Sequence, residues 1–134
     1  MKKGQAAKRN LHALWIVLFA IYMAGVAWLY FSSGEVSFEL PKDLFGIPFD
    51  KAVHFSMFLP FPILFTLALD FRSWWRTLSI SVLLAVIIAF AFETLQSRIT
   101  ETRVTDPADL NANILGIATG LLVMVVAGLI ARKR

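Results

Sequence analysis

The sequence of 134 residues contains no cysteine, which excludes disulfide bonds and thiolate metal sites. Charged residues make up only 16% of it, against about 25% in an ordinary soluble domain. It also has no glycine-rich phosphate loop, no His-Glu-x-x-His zinc motif and no nucleophile elbow, and Ser56 and Ser97 carry no triad signature. The sequence therefore does not indicate a nucleotide-binding protein, a zinc hydrolase or a serine hydrolase of the classes that carry these motifs.

Apolar residues are present in excess, at 58% compared with about 45–50% in soluble domains. They form four stretches, each close to the roughly 20 residues that a transmembrane helix needs: residues 11–31, 53–70, 78–97 and 110–131. We therefore predict an all-α membrane protein, a single domain over 1–134 with four transmembrane helices in an up-down bundle. A cleaved signal peptide at 1–31 is the alternative for the first stretch, but its apolar run is longer than an h-region of about 7–15 residues.

The basic residues indicate the orientation, because cytoplasmic loops are enriched in Lys and Arg. Nine of the 13 fall on one side of the predicted topology, in the N-terminal, second-loop and C-terminal segments: Lys2, Lys3, Lys8, Arg9, Arg72, Arg76, Arg132, Lys133 and Arg134. We predict that both termini are cytoplasmic and that the protein lies in the inner (cytoplasmic) membrane of the cell. Basic residues that flank spans do not indicate a nucleic-acid partner. Aromatic residues near span ends are typical of an interfacial belt: Trp15, Trp28, Tyr30, Trp74 and Trp75.

The last span has a recognisable start and a close-packing face. Asp106 suits the N-cap, Pro107 the first helical position, and Asp109 the third position of a capping box in which Asp replaces Glu. Gly116 and Gly120 form a small-xxx-small motif, which lets helix backbones approach closely. The first span, in contrast, is predicted to serve mainly as an anchor.

Polar side chains of the other three spans gather at one end of the predicted bundle, the extracytoplasmic end. Charges within a span are costly, at roughly 2.5–3.5 kcal/mol each, so they are expected to face the bundle interior and pair. The spacings i, i+3, i+4 and i+7 put the members of each span on one helix face. The predicted site consists of Asp50, Lys51, His54, Glu93, Gln96, Arg98, Arg103, Asp106, Asp109 and Asn113.

Several roles for this site remain open from the residues alone. His54 and Glu93 are the candidates for acid/base catalysis, and Lys51, Arg98 and Arg103 for phosphate binding. Carboxylates with one histidine suit Mg²⁺ or Mn²⁺ in ligand type, but no spacing requires a metal, and no metal or cofactor is assigned. In structural alternatives, Asp106 is a cap, Lys51 and Arg98 snorkel, or Glu93 pairs with a nearby arginine.

The combination of motifs resembles the VanZ-like family of small bacterial membrane proteins over about 50–131. The first motif is Asp50-Lys51-Ala52-Val53-His54-Phe55, the second is Glu93-Thr94-Leu95-Gln96, and the third places Asp106, Asp109, Asn113, Gly116 and Gly120 after Arg103 at the family spacing. Phe58 departs from the pattern, since the family often has Tyr four residues after the His.

The resemblance implies work in the cell envelope, near cell-wall precursors, because the family takes its name from an accessory protein of teicoplanin (glycopeptide) resistance. Our leading hypothesis is an outward-facing polar pocket that binds the headgroup of a membrane lipid or a lipid-linked cell-wall precursor. The alternatives are a membrane hydrolase or transferase that uses His54 and Glu93, and a non-catalytic scaffold in which the polar residues only fix helix register. The sequence assigns neither enzymatic activity nor an oligomeric state.

Overall fold

A computed structural model describes residues 2–32, 42–69, 73–99 and 106–132. Within these ranges the secondary structure consists of helices and one short hairpin, in the following order: α1 (Lys2–Phe31), β1 (Asp43–Leu44), β2 (Ile47–Pro48), α2 (Phe49–Phe58), α3 (Pro60–Ala68), α4 (Trp74–Ile99) and α5 (Pro107–Arg132).

Four helical segments are long and apolar enough to cross a membrane: Gly4–Phe31, Phe49–Ala68, Trp74–Ile99 and Pro107–Ala131. This confirms the predicted helical class and number of spans. The helices extend beyond the apolar stretches because polar end residues, such as Asp50 and Arg98, continue the helical backbone. The orientation of the termini stays a prediction.

The second span is divided into two helices directly before Pro60. Helices α2 and α3 meet at Leu59, whose backbone stays helical (φ −58°, ψ −44°) and whose N–H still donates to the Phe55 carbonyl at 3.1 Å. The next residue, Pro60, has no N–H to donate, so the helical hydrogen-bond ladder is interrupted there.

Helix α5 packs against α2, α3 and α4, and the glycine motif explains how closely it does so. A Cβ at Gly116 would lie 2.3 Å from the Phe55 carbonyl oxygen, and one at Gly120 would lie 2.2 Å from that of Leu59. Only a residue without a side chain allows backbones to approach this closely. The predicted packing role of these glycines is confirmed.

Helix α1 packs mainly against α3 through aromatic side chains. The Phe19 ring lies edge-on to the rings of Phe61 and Phe65, with centroids 5.4 and 5.7 Å apart. On α4, Ala85 and Ala89 are fully buried and belong to the same core. Small residues on one helix and aromatic rings on the others fill the bundle interior.

A two-residue turn links β1 and β2, where Phe45 (φ 55°) and Gly46 (φ 81°) both have left-handed backbones. A two-residue type I′ turn, whose twist matches that of the flanking strands, requires positive φ at both central residues. Phe45 is 96% exposed at its tip, with Leu44 and Ile47 also exposed.

Candidate functional site

Polar side chains from all four spans meet where α1 and α4 end and α2 and α5 begin. The most deeply placed are buried: His54 is 4% exposed, Glu93 3%, Gln96 4% and Asn113 fully buried. We call this group the polar cluster, and it consists of Tyr30, Asp50, Lys51, His54, Glu93, Gln96, Asp106, Asp109 and Asn113. Three separate segments were predicted to converge here, and the structure brings them together with a fourth.

At the centre of the polar cluster, Tyr30, His54 and Asn113 form a hydrogen-bonded triangle. The Asn113 side-chain amide donates to the Tyr30 hydroxyl at 2.6 Å. His54 Nδ1 lies 3.0 Å from the Tyr30 hydroxyl and 3.2 Å from Asn113 Oδ1. When Nδ1 is unprotonated it accepts from Tyr30, and when it is protonated it donates to Asn113.

The other imidazole nitrogen faces a carboxylate, with His54 Nε2 3.6 Å from Asp109 Oδ2. His54 on α2 therefore lies near a carboxylate of α5. A proton on Nε2 points at this carboxylate when Tyr30 donates to Nδ1. The imidazole is thus held between a hydroxyl and a carboxylate, which fixes its orientation.

Lys51 lies at the mouth of the polar cluster among three carboxylates. Its ammonium is 3.0 Å from Asp50 and 2.5 Å from Asp106, and it also bonds Asp109. This ammonium group holds the pKa of the Asp106 carboxyl below its usual value, and the Ala108 N–H acts in the same direction. Lys51 therefore differs from the exposed cation expected for phosphate binding, because its charge is already compensated.

Asp106 caps α5 as predicted, because its Oδ1 accepts from the Ala108 N–H at 2.8 Å. The second half of the predicted capping box differs. The Asp106 N–H donates to Glu93 Oε1 at 3.2 Å, while the Asp109 carboxylate turns to Lys51 instead. Glu93 on α4 thus supplies the acceptor that a residue of α5 itself was expected to supply, which ties the two helices together.

Among the described residues, one carboxyl oxygen of Glu93 has no hydrogen-bonding partner. This oxygen, Oε2, is buried. Arg98, one predicted partner, is exposed and forms no ion pair with Glu93 in the described ranges. Leaving a buried polar atom unpaired is costly, so a hydrogen-bond donor that reached Oε2 would be bound favourably.

The two remaining predicted residues have different outcomes. The Gln96 side-chain amide is buried and donates to the backbone carbonyl of Tyr30 at 2.9 Å, so it binds the last turn of α1. Arg103 lies outside the described residues, and its predicted role stays a prediction.

A scan against protein-family models matches residues 12–128 to VanZ/LLP1. The chain belongs to the VanZ/LLP1 family. No curated protein and no solved structure matches it. The match begins within α1, earlier than the resemblance noted over about 50–131, so the first span is part of the family's common region.

Tyr30 is the member of the polar cluster that sequence reasoning missed. It was assigned to the interfacial belt, but it is 1% exposed, and that assignment is wrong because its ring and hydroxyl are enclosed by α2, α4 and α5. The first span is consequently more than an anchor. Phe58 packs edge-on to this ring with centroids 6.3 Å apart, so a hydroxyl stands beside His54 although residue 58 lacks the Tyr often found in the VanZ/LLP1 family.

The arrangement limits the chemistry that this VanZ/LLP1 site can perform. Both nitrogens of His54 face protein groups, so the imidazole can accept or release a proton only by exchanging a partner. Glu93 Oε2 needs no such exchange with the described residues, since none of them bonds it. No group of three His, Asp or Glu side chains has metal-binding geometry among the described residues. Hydrogen bonding and proton transfer are chemistry that these side chains can supply.

Proposed function

We propose that the protein binds the polar headgroup of a membrane lipid, or of a lipid-linked cell-wall precursor, in the polar cluster. The observation that carries this proposal is Glu93 Oε2, a buried carboxyl oxygen without a partner among the described residues. A hydroxyl or amine of a headgroup would supply the missing donor. His54 and Asp109, on the neighbouring helices, would contact the same group.

The position of the polar cluster favours a ligand that is held in the membrane. His54 and Glu93 lie one to two turns inside the ends of α2 and α4, at the boundary between apolar spans and polar connections. A lipid presents its headgroup at this depth without leaving the bilayer. The proposed orientation places this boundary at the outer leaflet, where cell-wall precursors are used.

Each charged residue has a defined role in this proposal. Lys51 holds Asp106 and Asp109 in place, because its ammonium bonds both. Contacts with a phosphate would come from Arg98, which is exposed at the end of α4, and from Arg103. Asp50, the most exposed carboxylate paired with Lys51, would lie at the rim of the site.

Binding of lipids to the detergent-purified protein, measured by native mass spectrometry for a series of headgroups on one acyl composition, tests the proposal. We expect Glu93→Gln to weaken binding of the preferred headgroup by about 10-fold or more, since a hydrogen bond to a charged group contributes roughly 1.5–3 kcal/mol. Asp43→Asn is the matched control, because Asp43 is an exposed carboxylate in the hairpin. Equal affinities for all headgroups, or no change in Glu93→Gln, would contradict the proposal.

An enzyme is the second candidate, and Glu93 favours it as well. A carboxyl with one unengaged oxygen is suited to donate or accept a proton at a bound headgroup. Hydrolase or transferase activity would appear as a change in lipid mass when the protein is incubated in vesicles. In that case a Glu93→Gln variant with wild-type melting temperature should lose the reaction. If the polar cluster is only a scaffold, His54→Gln and Glu93→Gln should instead lower stability and function together.

A link to glycopeptide resistance extends the proposal to the cell. It is supported by the family name and by the proposed ligand class, since glycopeptides bind cell-wall precursors. Expression of the wild-type protein in a susceptible host should raise the teicoplanin concentration needed to stop growth, and Glu93→Gln expressed at the same level should not. If both strains and the host without the protein are equally susceptible to teicoplanin, the proposed link to glycopeptide resistance is contradicted.

A further inference from the structure

A groove of 410 Å³ lies between α1 and α2, directly beside the polar cluster. One wall is formed by α1, from Tyr22 to Leu29, and the other by α2 and the start of α3, from Val53 to Pro60. Its volume is within the range of about 300–1,000 Å³ that is usual for small-molecule sites.

The packing of α1 against the second span is uneven along its length. Helix α1 packs closely on α3 but makes few backbone approaches to α2, and the groove lies along this less closely packed part. Gly25 adds to the opening, because a Cβ at this position would meet no atom within 4 Å.

The wall of the groove is apolar even where its residues carry hydroxyls. The Tyr22 hydroxyl donates to the Met57 carbonyl, and the Ser56 hydroxyl donates to the Ala52 carbonyl at 2.7 Å. Both donors are satisfied within the bundle. The groove therefore offers a ligand van der Waals contact and no free hydrogen-bond donor from these two side chains.

One end of the groove adjoins the polar cluster. Leu29 lines the groove and the next residue, Tyr30, belongs to the cluster, while Val53 lines the groove and is followed by His54. The opposite end lies at Tyr22 and Pro60, deeper in the apolar part of the spans. A molecule with a polar head and an apolar tail would match this gradient.

We propose that the groove holds one hydrocarbon chain of the lipid whose headgroup occupies the polar cluster. The medium around these apolar spans is the acyl interior of the bilayer. The inference rests on the proposed function and assigns its ligand to lipids rather than to free polar molecules.

Photo-crosslinking tests the groove. The protein is reconstituted in vesicles of phosphatidylethanolamine and phosphatidylglycerol that contain phosphatidylethanolamine with a diazirine in one acyl chain, and adducts are mapped by mass spectrometry. We expect adducts at Val26, Leu29 and Val53 to exceed those at Val17, which faces outward on α1. In Gly25→Leu the new side chain would compete with the acyl chain for the groove. We expect the groove adducts to fall about fivefold or more, which is the change in affinity that about 1 kcal/mol of overpacking produces.

Ala24→Leu is the matched control, because Ala24 is exposed on the same helix but does not line the groove. Adducts spread evenly over α1, an equal effect of both leucines, or crosslinks between two copies through Gly25 would overturn the inference. Headgroup selectivity that is lost in Glu93→Gln, together with groove adducts that Gly25→Leu does not reduce, would leave the proposed function standing and refute the groove. If Gly25→Leu reduces the groove adducts but the protein shows no headgroup selectivity, the proposed function is refuted and the groove still binds an acyl chain.

Discussion

The close contact between α5 and α2 predicts that one added methyl group at Gly116 destabilises the protein. In Gly116→Ala the new Cβ would lie 2.3 Å from the Phe55 carbonyl oxygen and 3.1 Å from the Leu59 nitrogen. An ordinary contact of carbon with a carbonyl oxygen is about 3.3–3.6 Å, so the backbones must separate by roughly 1 Å. Backbone atoms cannot rotate away as the end of a flexible side chain can.

Two effects of opposite sign decide the magnitude. Alanine is a better helix former than glycine by about 1 kcal/mol, whereas overpacking costs typically about 1–3 kcal/mol and occasionally more. With a backbone oxygen as the obstacle we expect the cost to dominate, leaving a net loss of about 1–2 kcal/mol. Gly25→Ala has no obstacle within 4 Å, so the propensity gain should remain and the protein should become slightly more stable.

Thermal unfolding in detergent, followed by the fluorescence of the four tryptophans, measures the difference. Gly116→Ala should melt several degrees below the wild type and Gly25→Ala at or above it. Separation of the helices would also stretch the 3.2 Å contact between His54 and Asn113, so Gly116→Ala should bind the preferred headgroup more weakly. Equal melting temperatures for the two variants would refute the close-packing argument.

The remaining predictions concern the polar cluster and the topology. Tyr30→Phe removes the hydroxyl beside His54 and should cost about 1–3 kcal/mol of stability, measured by thermal unfolding; an unchanged melting temperature would contradict the triangle. Lys51 lowers the pKa of the Asp106 carboxyl in the folded state. The ionised Asp106 carboxylate therefore stabilises the folded protein at pH values above the unfolded pKa of about 3.9. This stabilisation is lost as the pH falls through and below that value. Asp106→Asn should therefore flatten the fall in melting temperature between about pH 5 and 3, and an unchanged slope would argue against the pair. An impermeant thiol reagent on intact cells should label cysteines introduced at Gly34 and Thr102, in the two predicted outer loops. It should not label a cysteine at Ser73, in the predicted inner loop, and labelling there would contradict the predicted topology.

The features that the sequence predicts correctly are those set by local rules. Four apolar stretches predict four spans, and Asp106 before Pro107 predicts the start of α5. Gly116 and Gly120 predict a close helix contact because no other residue permits one. Each of these follows from the preferences of a short segment, whatever it packs against.

The features that were missed depend on how segments meet in three dimensions. Tyr30 lies at the end of an apolar helix, and nothing in its neighbours distinguishes a belt tyrosine from one that bonds His54. Glu93 replaces the expected acceptor of the capping box because α4 brings it beside the start of α5. Lys51 has three carboxylates around it only once α2 and α5 are in contact.

The most direct test of the central claim is an experimental structure of the protein in a lipid nanodisc made from membranes of its host. We expect non-protein density within hydrogen-bonding distance of Glu93 Oε2, with the headgroup near Asp109 and one chain descending between α1 and α2. A structure in which Glu93 Oε2 bonds only protein groups, and in which ordered lipid lies only on the outer faces of the helices, would contradict it.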